Sequence, residues 1–246
     1  MYGTVIGRGA HSLILANGDR AQKIYPAGTT MAQVMTEAEA QQTARKHGVP
    51  VPHVYDVKCI ENRPMMVMER VVGLPLDEAM RDHPDLVPAL LSEFCRLQQF
   101  IHQVPFSGHR LFSSHVRDQI QLLPLDDGKR QGLLRSLDEL PEGNALCHGD
   151  LHPKNMILTD NGLVVLDWAG ASTGHPLADA CQTYLLFLLH APQLADPYKS
   201  FWDHQPGNDG HELSDWLTPL AFARRALNRS DEGSLASLVD MPPEWK

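Results

Sequence analysis

The 246-residue chain carries 21 Lys and Arg against 30 Asp and Glu. The resulting charge of -9 excludes the basic surface that nucleic acid needs, so no nucleic-acid partner is expected. A 43% hydrophobic, 21% charged composition is an ordinary globular mix, enough for one large domain or two small lobes.

The longest apolar run, residues 184–189, is too short to span a bilayer and reads as buried helix, so no membrane partner is expected. Cys59, Cys95, Cys147 and Cys181 are scattered and form no CxxC pair. With no signal peptide read at the start, they are expected to be reduced thiols of a cytoplasmic protein.

Taken in chain order, the first 70 residues read as strands around one helix. Residues 4–6 and 12–15 suggest strands flanking Gly7 and Gly9, and Asn17-Gly18 signals a hairpin turn. A strand over 21–25 ends at Pro26 and Gly28. Residues 30–47 hold many helix formers, with Gly48 as the stop. Residues 54–60 and 65–68 read as a strand pair turning at Asn62-Arg63.

From Gly73 the chain reads as mostly helical, with Leu86, Leu90, Leu91, Phe94, Leu97 and Ile101 at helical spacing. A short β interruption falls over 145–167, where residues 156–158 and 163–166 flank the turn Asp160-Asn161-Gly162. Pro176 opens another helix, and the last fifteen residues read as a loosely held tail. The expected architecture is α+β and two-lobed: a β-rich lobe over 1–72 and a mainly helical lobe over 73–246.

Phosphoryl transfer needs groups that hold nucleotide phosphates, oxygen ligands for a divalent metal, and a base near the acceptor hydroxyl. Asp150 and Asn155 lie five apart in a loop between apolar strands, and Asp167 follows the next strand. The hairpin brings Asn155 and Asp167 close, so an amide oxygen and a carboxylate can share Mg2+, while Asp150 can accept the hydroxyl proton. Gly7 and Gly9 let backbone N–H groups approach phosphates. Read singly, each aspartate is a loop cap and each glycine a turn residue; the spacing favours the joint reading.

The pattern His148-Gly149-Asp150-Leu151-His152-Pro153-x-Asn155, followed by Leu166-Asp167-Trp168, resembles the aminoglycoside phosphotransferase and choline-kinase-like family, whose fold is that of the protein kinases. Gly48-Val49-Pro50-Val51-Pro52, Val67-Met68-Glu69-Arg70 and Gly73 are similar to further phrases of that family. The resemblance implies Asp150 as catalytic base and Asn155 and Asp167 as metal ligands. It implies that Lys23 contacts the α- and β-phosphates, steadied by Glu37, with Glu39 second. It also implies that backbone groups of 69–71, starting at Glu69, meet the adenine edge. Asp179 corresponds to an anchor of the catalytic loop, and His148 orients that loop.

The implied cofactors are ATP and Mg2+, bound in a cleft between lobes, and the implied partner is a small-molecule alcohol. The acidic stretch over 196–223, with Asp196, Asp203, Asp209, Glu212 and Asp215, is either plain surface or an attraction for an amine-bearing acceptor. Gly149 before the aspartate and Asp167-Trp168-Ala169 after the hairpin set the chain apart from regulated protein kinases. A non-catalytic nucleotide-binding module is the second reading. A zinc hydrolase built on His148, Asp150 and His152 is the third, and it leaves Lys23, Asn155 and Asp167 without roles.

Overall fold

The computed structural model describes residues 3–8, 12–107, 109–205 and 210–226. Gly9, Asp209 and the expected tail lie outside the described residues. The molecule has an N-terminal antiparallel sheet followed by a mostly helical region, an α+β fold. Packing divides it into two compact units, Met1–Val104 with Pro153–Ala171, and Pro105–His152 with Ser172–Lys246. This partition by packing differs in kind from the 1–72 and 73–246 division by sheet and helix.

In the first unit, β1 (Thr4–Arg8), β2 (Leu13–Asn17), β3 (Arg20–Ile24), β4 (Val54–Ile60) and β5 (Arg63–Glu69) form one sheet in the order β1-β2-β3-β5-β4. The β2–β3 hairpin closes Asn17 against Arg20, so its turn is Gly18-Asp19, one residue beyond the expected position. Gly18 takes a φ of 62°, which suits a glycine-first two-residue turn. The β4–β5 turn is likewise shifted, to Glu61-Asn62, with φ of 49° and 62°.

Between β3 and β4 runs α1 (Met31–Lys46). Thr30 caps it, accepting from the Gln33 N–H while the Gln33 side chain reaches back to the Thr30 N–H. Its buried stripe is Val34, Glu37, Ala38, Gln41 and Ala44, the three-and-four spacing of one helical face. Val34 and Ala38 pack with Tyr25, Val54 and Met66 into a core. Val34, Val54 and Met66 each contribute roughly 1.5–3 kcal/mol on burial, so this core fixes α1 to the sheet.

The same unit holds β6 (Leu74–Pro75), α2 (Leu76–Asp82), α3 (Val87–Ile101) and the hairpin of β8 (Met156–Thr159) with β9 (Gly162–Val165). The short β6 adds to β8 in a three-stranded sheet. The Val165 N–H also donates to the Pro50 carbonyl at 2.9 Å, tying the hairpin to the loop after α1.

In the second unit, β7 (Ala145–Cys147) pairs with β10 (Ser172–Gly174). Around this ribbon lie α4 (Phe112–Leu122), α5 (Asp127–Asp138), α6 (Pro176–His190), α7 (Pro192–Asp203) and α8 (Leu217–Arg225). Pro176 opens α6 as expected, where its missing N–H costs no hydrogen bond. Among the described residues no helix is long and apolar enough to cross a membrane. The four cysteines are free thiols, three of them buried.

Candidate active site

Strand alternation sets the first part of the site. On β3 and just after it, Ala21, Lys23 and Tyr25 share the buried face, at 4%, 4% and 6% exposure. Lys23 therefore points at α1 rather than into open solvent. There Glu37 occupies the buried stripe, whereas Glu39 is exposed. The Lys23 Nζ donates to Glu37 Oε1 at 2.7 Å and to Asp167 Oδ1 at 2.7 Å. Tyr25 Oη donates to the other Glu37 oxygen, Oε2, at 2.8 Å.

Asp167 reaches this ammonium because of the chain's path after β9. The β8–β9 register sets Met156 opposite Val165, and the Leu166 N–H donates to the Asn155 carbonyl at 2.8 Å. Asp167 then adopts φ 61° and ψ 73°, a left-handed conformation that costs a non-glycine residue on the order of 1–3 kcal/mol. Trp168, fully buried, follows at once in a 3-10 turn that packs on α1. This packing holds the strained aspartate in place. The two residues expected as metal ligands thus leave adjoining strand ends, and their amide and carboxylate oxygens are the donors that Mg2+ takes.

One ammonium serves two carboxylates. Burial alone would lower the Lys23 pKa, but the charges of Glu37 and Asp167 reverse that and raise it. Burial raises the Glu37 carboxyl, and the like charge of Asp167 adds to it; Lys23 and the Tyr25 hydroxyl pull the other way without prevailing. Burial and the Glu37 charge also raise the Tyr25 phenol, keeping it a neutral O–H donor. The direction that governs the cluster is that of Lys23, which stays charged between the two carboxyl groups.

The second unit holds the loop after β7. Gly149 takes φ 79°, a conformation that L side chains rarely adopt, and its N–H donates to Asp179 Oδ1 at 2.6 Å. Asp179 is fully buried in the first turn of α6 and acts as the loop's anchor. The Asp150 N–H donates to Nδ1 of buried His148 at 3.3 Å, and Thr183 Oγ1 donates to the Leu151 carbonyl at 3.0 Å. Asp150 Oδ2 lies 3.8 Å from His152 Nε2. Burial raises the Asp150 carboxyl, but His152, Arg224 and His148 together outweigh it and hold it down at about 2. Asp150 is therefore an ionised carboxylate at neutral pH.

Two further expected residues have local partners within the first unit. Gly7 lies at a register shift between β1 and β2, and a Cβ there would meet Ile14 at 3.5 Å, an ordinary contact. Packing within the sheet thus does not demand glycine at that position. Glu69 turns its carboxylate to the His53 N–H at 3.1 Å, with Arg45 at 3.6 Å. The N–H groups of Glu69 and Arg70 are taken by the carbonyls of His53 and Asp19.

Tyr25, Thr183 and Arg224 were not foreseen. Tyr25 was within reach, because it sits two residues after Lys23 on the same strand face. Nothing local marks Thr183 or Arg224, since their roles depend on tertiary packing.

The model of the family described as "Phosphotransferase enzyme family" matches residues 5–216. The aminoglycoside 3'-phosphotransferase of Streptomyces fradiae is 31% identical over 140 residues, covering 50% of this chain and 52% of its own. The chain spans about half the length of the curated relatives it matches. The fold is shared with the amicoumacin kinase hAmiN in complex with AMP-PNP, Ca2+ and Ami, with TM-score 0.70 and 16% identity over 94% of this chain and 85% of that one. It is shared too with a choline/ethanolamine kinase family protein from Mesorhizobium loti, with TM-score 0.65 and 19% identity over 98% of this chain and 88% of that one.

Proposed function

The chain belongs to the phosphotransferase enzyme family, and from that premise we propose that it transfers the γ-phosphoryl group of ATP to a hydroxyl of a small molecule. The observation that carries this reading is the placement of Lys23 within 2.7 Å of both Glu37 and Asp167. Lys23, held by Glu37, receives the α- and β-phosphates. Backbone N–H groups near Gly7 and Gly9 add donors to the phosphates. Asn155 and Asp167 would hold Mg2+, which would neutralise charge on the phosphates. The Val71 N–H, which has no backbone partner among the described residues, meets the adenine edge beside Glu69.

Asp150 is the base. The acceptor oxygen forms a bond to the γ-phosphorus, the bond from that phosphorus to the ADP oxygen breaks, and the acceptor proton passes to the Asp150 carboxylate. A carboxylate held at about 2 is a weak base. It suits a loose transition state, in which positioning and charge stabilisation contribute most and the proton moves late. The loop's hydrogen bonds to Asp179, His148 and Thr183 supply that positioning.

The finer proposal is an amine-bearing alcohol as acceptor. It draws support from the chain's charge of -9 and from the Streptomyces fradiae relative, which is named for an aminoglycoside. The acidic stretch supports it only in part. Asp203 is paired with Lys199, and Asp215 caps the turn at Glu212 and faces His211 at 3.4 Å. Asp196 is exposed.

The test is an ATP-turnover screen over amino alcohols, sugars, simple alcohols and aminoglycosides, with matched neutral acceptors at low and high salt. ADP formation that depends on acceptor and Mg2+ supports the reading. Nucleotide binding with no turnover on any acceptor would instead identify a non-catalytic module.

A further inference from the structure

We infer that Tyr25 is a positioning residue for the nucleotide phosphates, holding Glu37 fixed while Lys23 changes partners; this rests on the phosphotransferase reading above. In the structure the Lys23 ammonium is shared between Glu37 Oε1 and Asp167 Oδ1. Two of its three N–H donors are thereby taken, so it meets a phosphate either through the third or by swinging off one of these carboxylates. Were Lys23 the sole partner of Glu37, each such excursion would leave a buried carboxylate without a donor, and α1 would lose its polar link to β3.

Tyr25 supplies a link that does not depend on the ammonium. Its hydroxyl binds the second oxygen, Oε2, at 2.8 Å, so the two Glu37 oxygens have separate donors. Being neutral, the phenol does not compete with Lys23 for an incoming phosphate. Its ring is locked among Val34, Ala38, Val54 and Met66, and its N–H donates to the Pro64 carbonyl at 3.0 Å, so neither end of the residue is free to drift. The ring face also lies 5.1 Å from the Lys23 Nζ, within range of a cation–π attraction that limits where the ammonium swings.

The experiment compares wild type and Tyr25→Phe in the full chain by calorimetry with two probes, Mg·AMP-PNP and adenosine. The variant keeps the ring and its packing and removes only the hydroxyl. AMP-PNP affinity is expected to fall about tenfold, equivalent to about 1.4 kcal/mol, while adenosine affinity is unchanged. A merely structural loosening would weaken both probes alike, and that result overturns the proposal, as does an unchanged AMP-PNP affinity. In a Glu37→Met background, where residue 37 has no oxygen left to accept from it, the Tyr25→Phe change should add no further loss of AMP-PNP affinity; an undiminished loss there contradicts a role through Glu37.

A measurement on the wild type covers the case in which the variant does not fold. With 13C-labelled tyrosine, the Tyr25 hydroxyl proton should exchange slowly both before and after AMP-PNP is added. Rapid exchange in the complex would show that the link does not survive the handover. Failure of the wild type to bind Mg·AMP-PNP at all would count against the phosphotransferase reading itself, a result separable from every outcome above.

Discussion

Replacing Lys23 by methionine tests the charge arrangement directly. An open-cleft position for Lys23 would predict little loss of stability. At 4% exposure the consequence differs, because the substitution strands Glu37, itself 3% exposed, beside the like-charged Asp167. Breaking a buried pair by removing one partner costs about 3–5 kcal/mol. Glu37 can limit this by taking up a proton. At about 1.4 kcal/mol for each pH unit above the ordinary glutamate value of about 4.3, that escape caps the Glu37 part near 4 kcal/mol at pH 7 and near 1 kcal/mol at pH 5. The sign follows from linkage. In the variant the folded-state pKa of Glu37 lies above the unfolded one, so between them the folded state holds the extra proton and stability falls as pH rises.

The assay is thermal unfolding of wild type and variant at pH 5 and pH 8. A loss on the order of 10 °C is expected at pH 8 and a much smaller one at pH 5. Lys23→Met combined with Glu37→Gln should recover most of the pH 8 loss, because no buried charge is then left unpaired. Equal losses at the two pH values, or no recovery in the double variant, would refute the reasoning.

Other expectations concern the catalytic loop and the proposed metal ligands. Asp150→Asn should lower turnover by about 10²–10⁴-fold and leave Mg·AMP-PNP affinity intact, as read by steady-state rates beside calorimetry. Because the Asp150 carboxyl is held at about 2, it stays ionised above pH 4, so the wild-type rate should show no acid limb from this group between pH 5 and 8. Asp167→Asn should weaken nucleotide binding in Mg2+ but not in EDTA; asparagine tolerates the left-handed φ of 61°, so the melting temperature separates this from misfolding. Asp179→Ala removes the acceptor of the Gly149 N–H and should cost about 1–3 kcal/mol in denaturant unfolding, together with most of the turnover, whereas Asp179→Asn retains an acceptor oxygen and should lose less of both.

What was legible in the sequence was local. The helix over 31–46 is announced by its helix formers and its stop at Gly48, though not by its Thr30 cap, and the five strands of the first sheet were each read near their place. Both hairpin turns fell one residue from the expected place, at Gly18-Asp19 and Glu61-Asn62. Turn dipeptides signal a reversal, but cross-strand packing settles the register. The pairings β6–β8 and β7–β10 were not foreseen, since each involves two or three residues whose partner is remote in the chain. For the same reason the resemblance identifies Lys23, Glu37 and Asp167 as members of one site, but not that Lys23 bridges both carboxylates, nor that Arg224 helps set the charge of Asp150.

The central claim is best tested by following ATP, Mg2+ and a panel of hydroxyl compounds by phosphorus NMR. The account predicts a new phosphate monoester signal growing with ADP in equal amount for at least one acceptor, abolished by Asp150→Asn. Failure of the wild type to bind Mg·ATP, or ADP and free phosphate formed at one rate whatever acceptor is present, would contradict it.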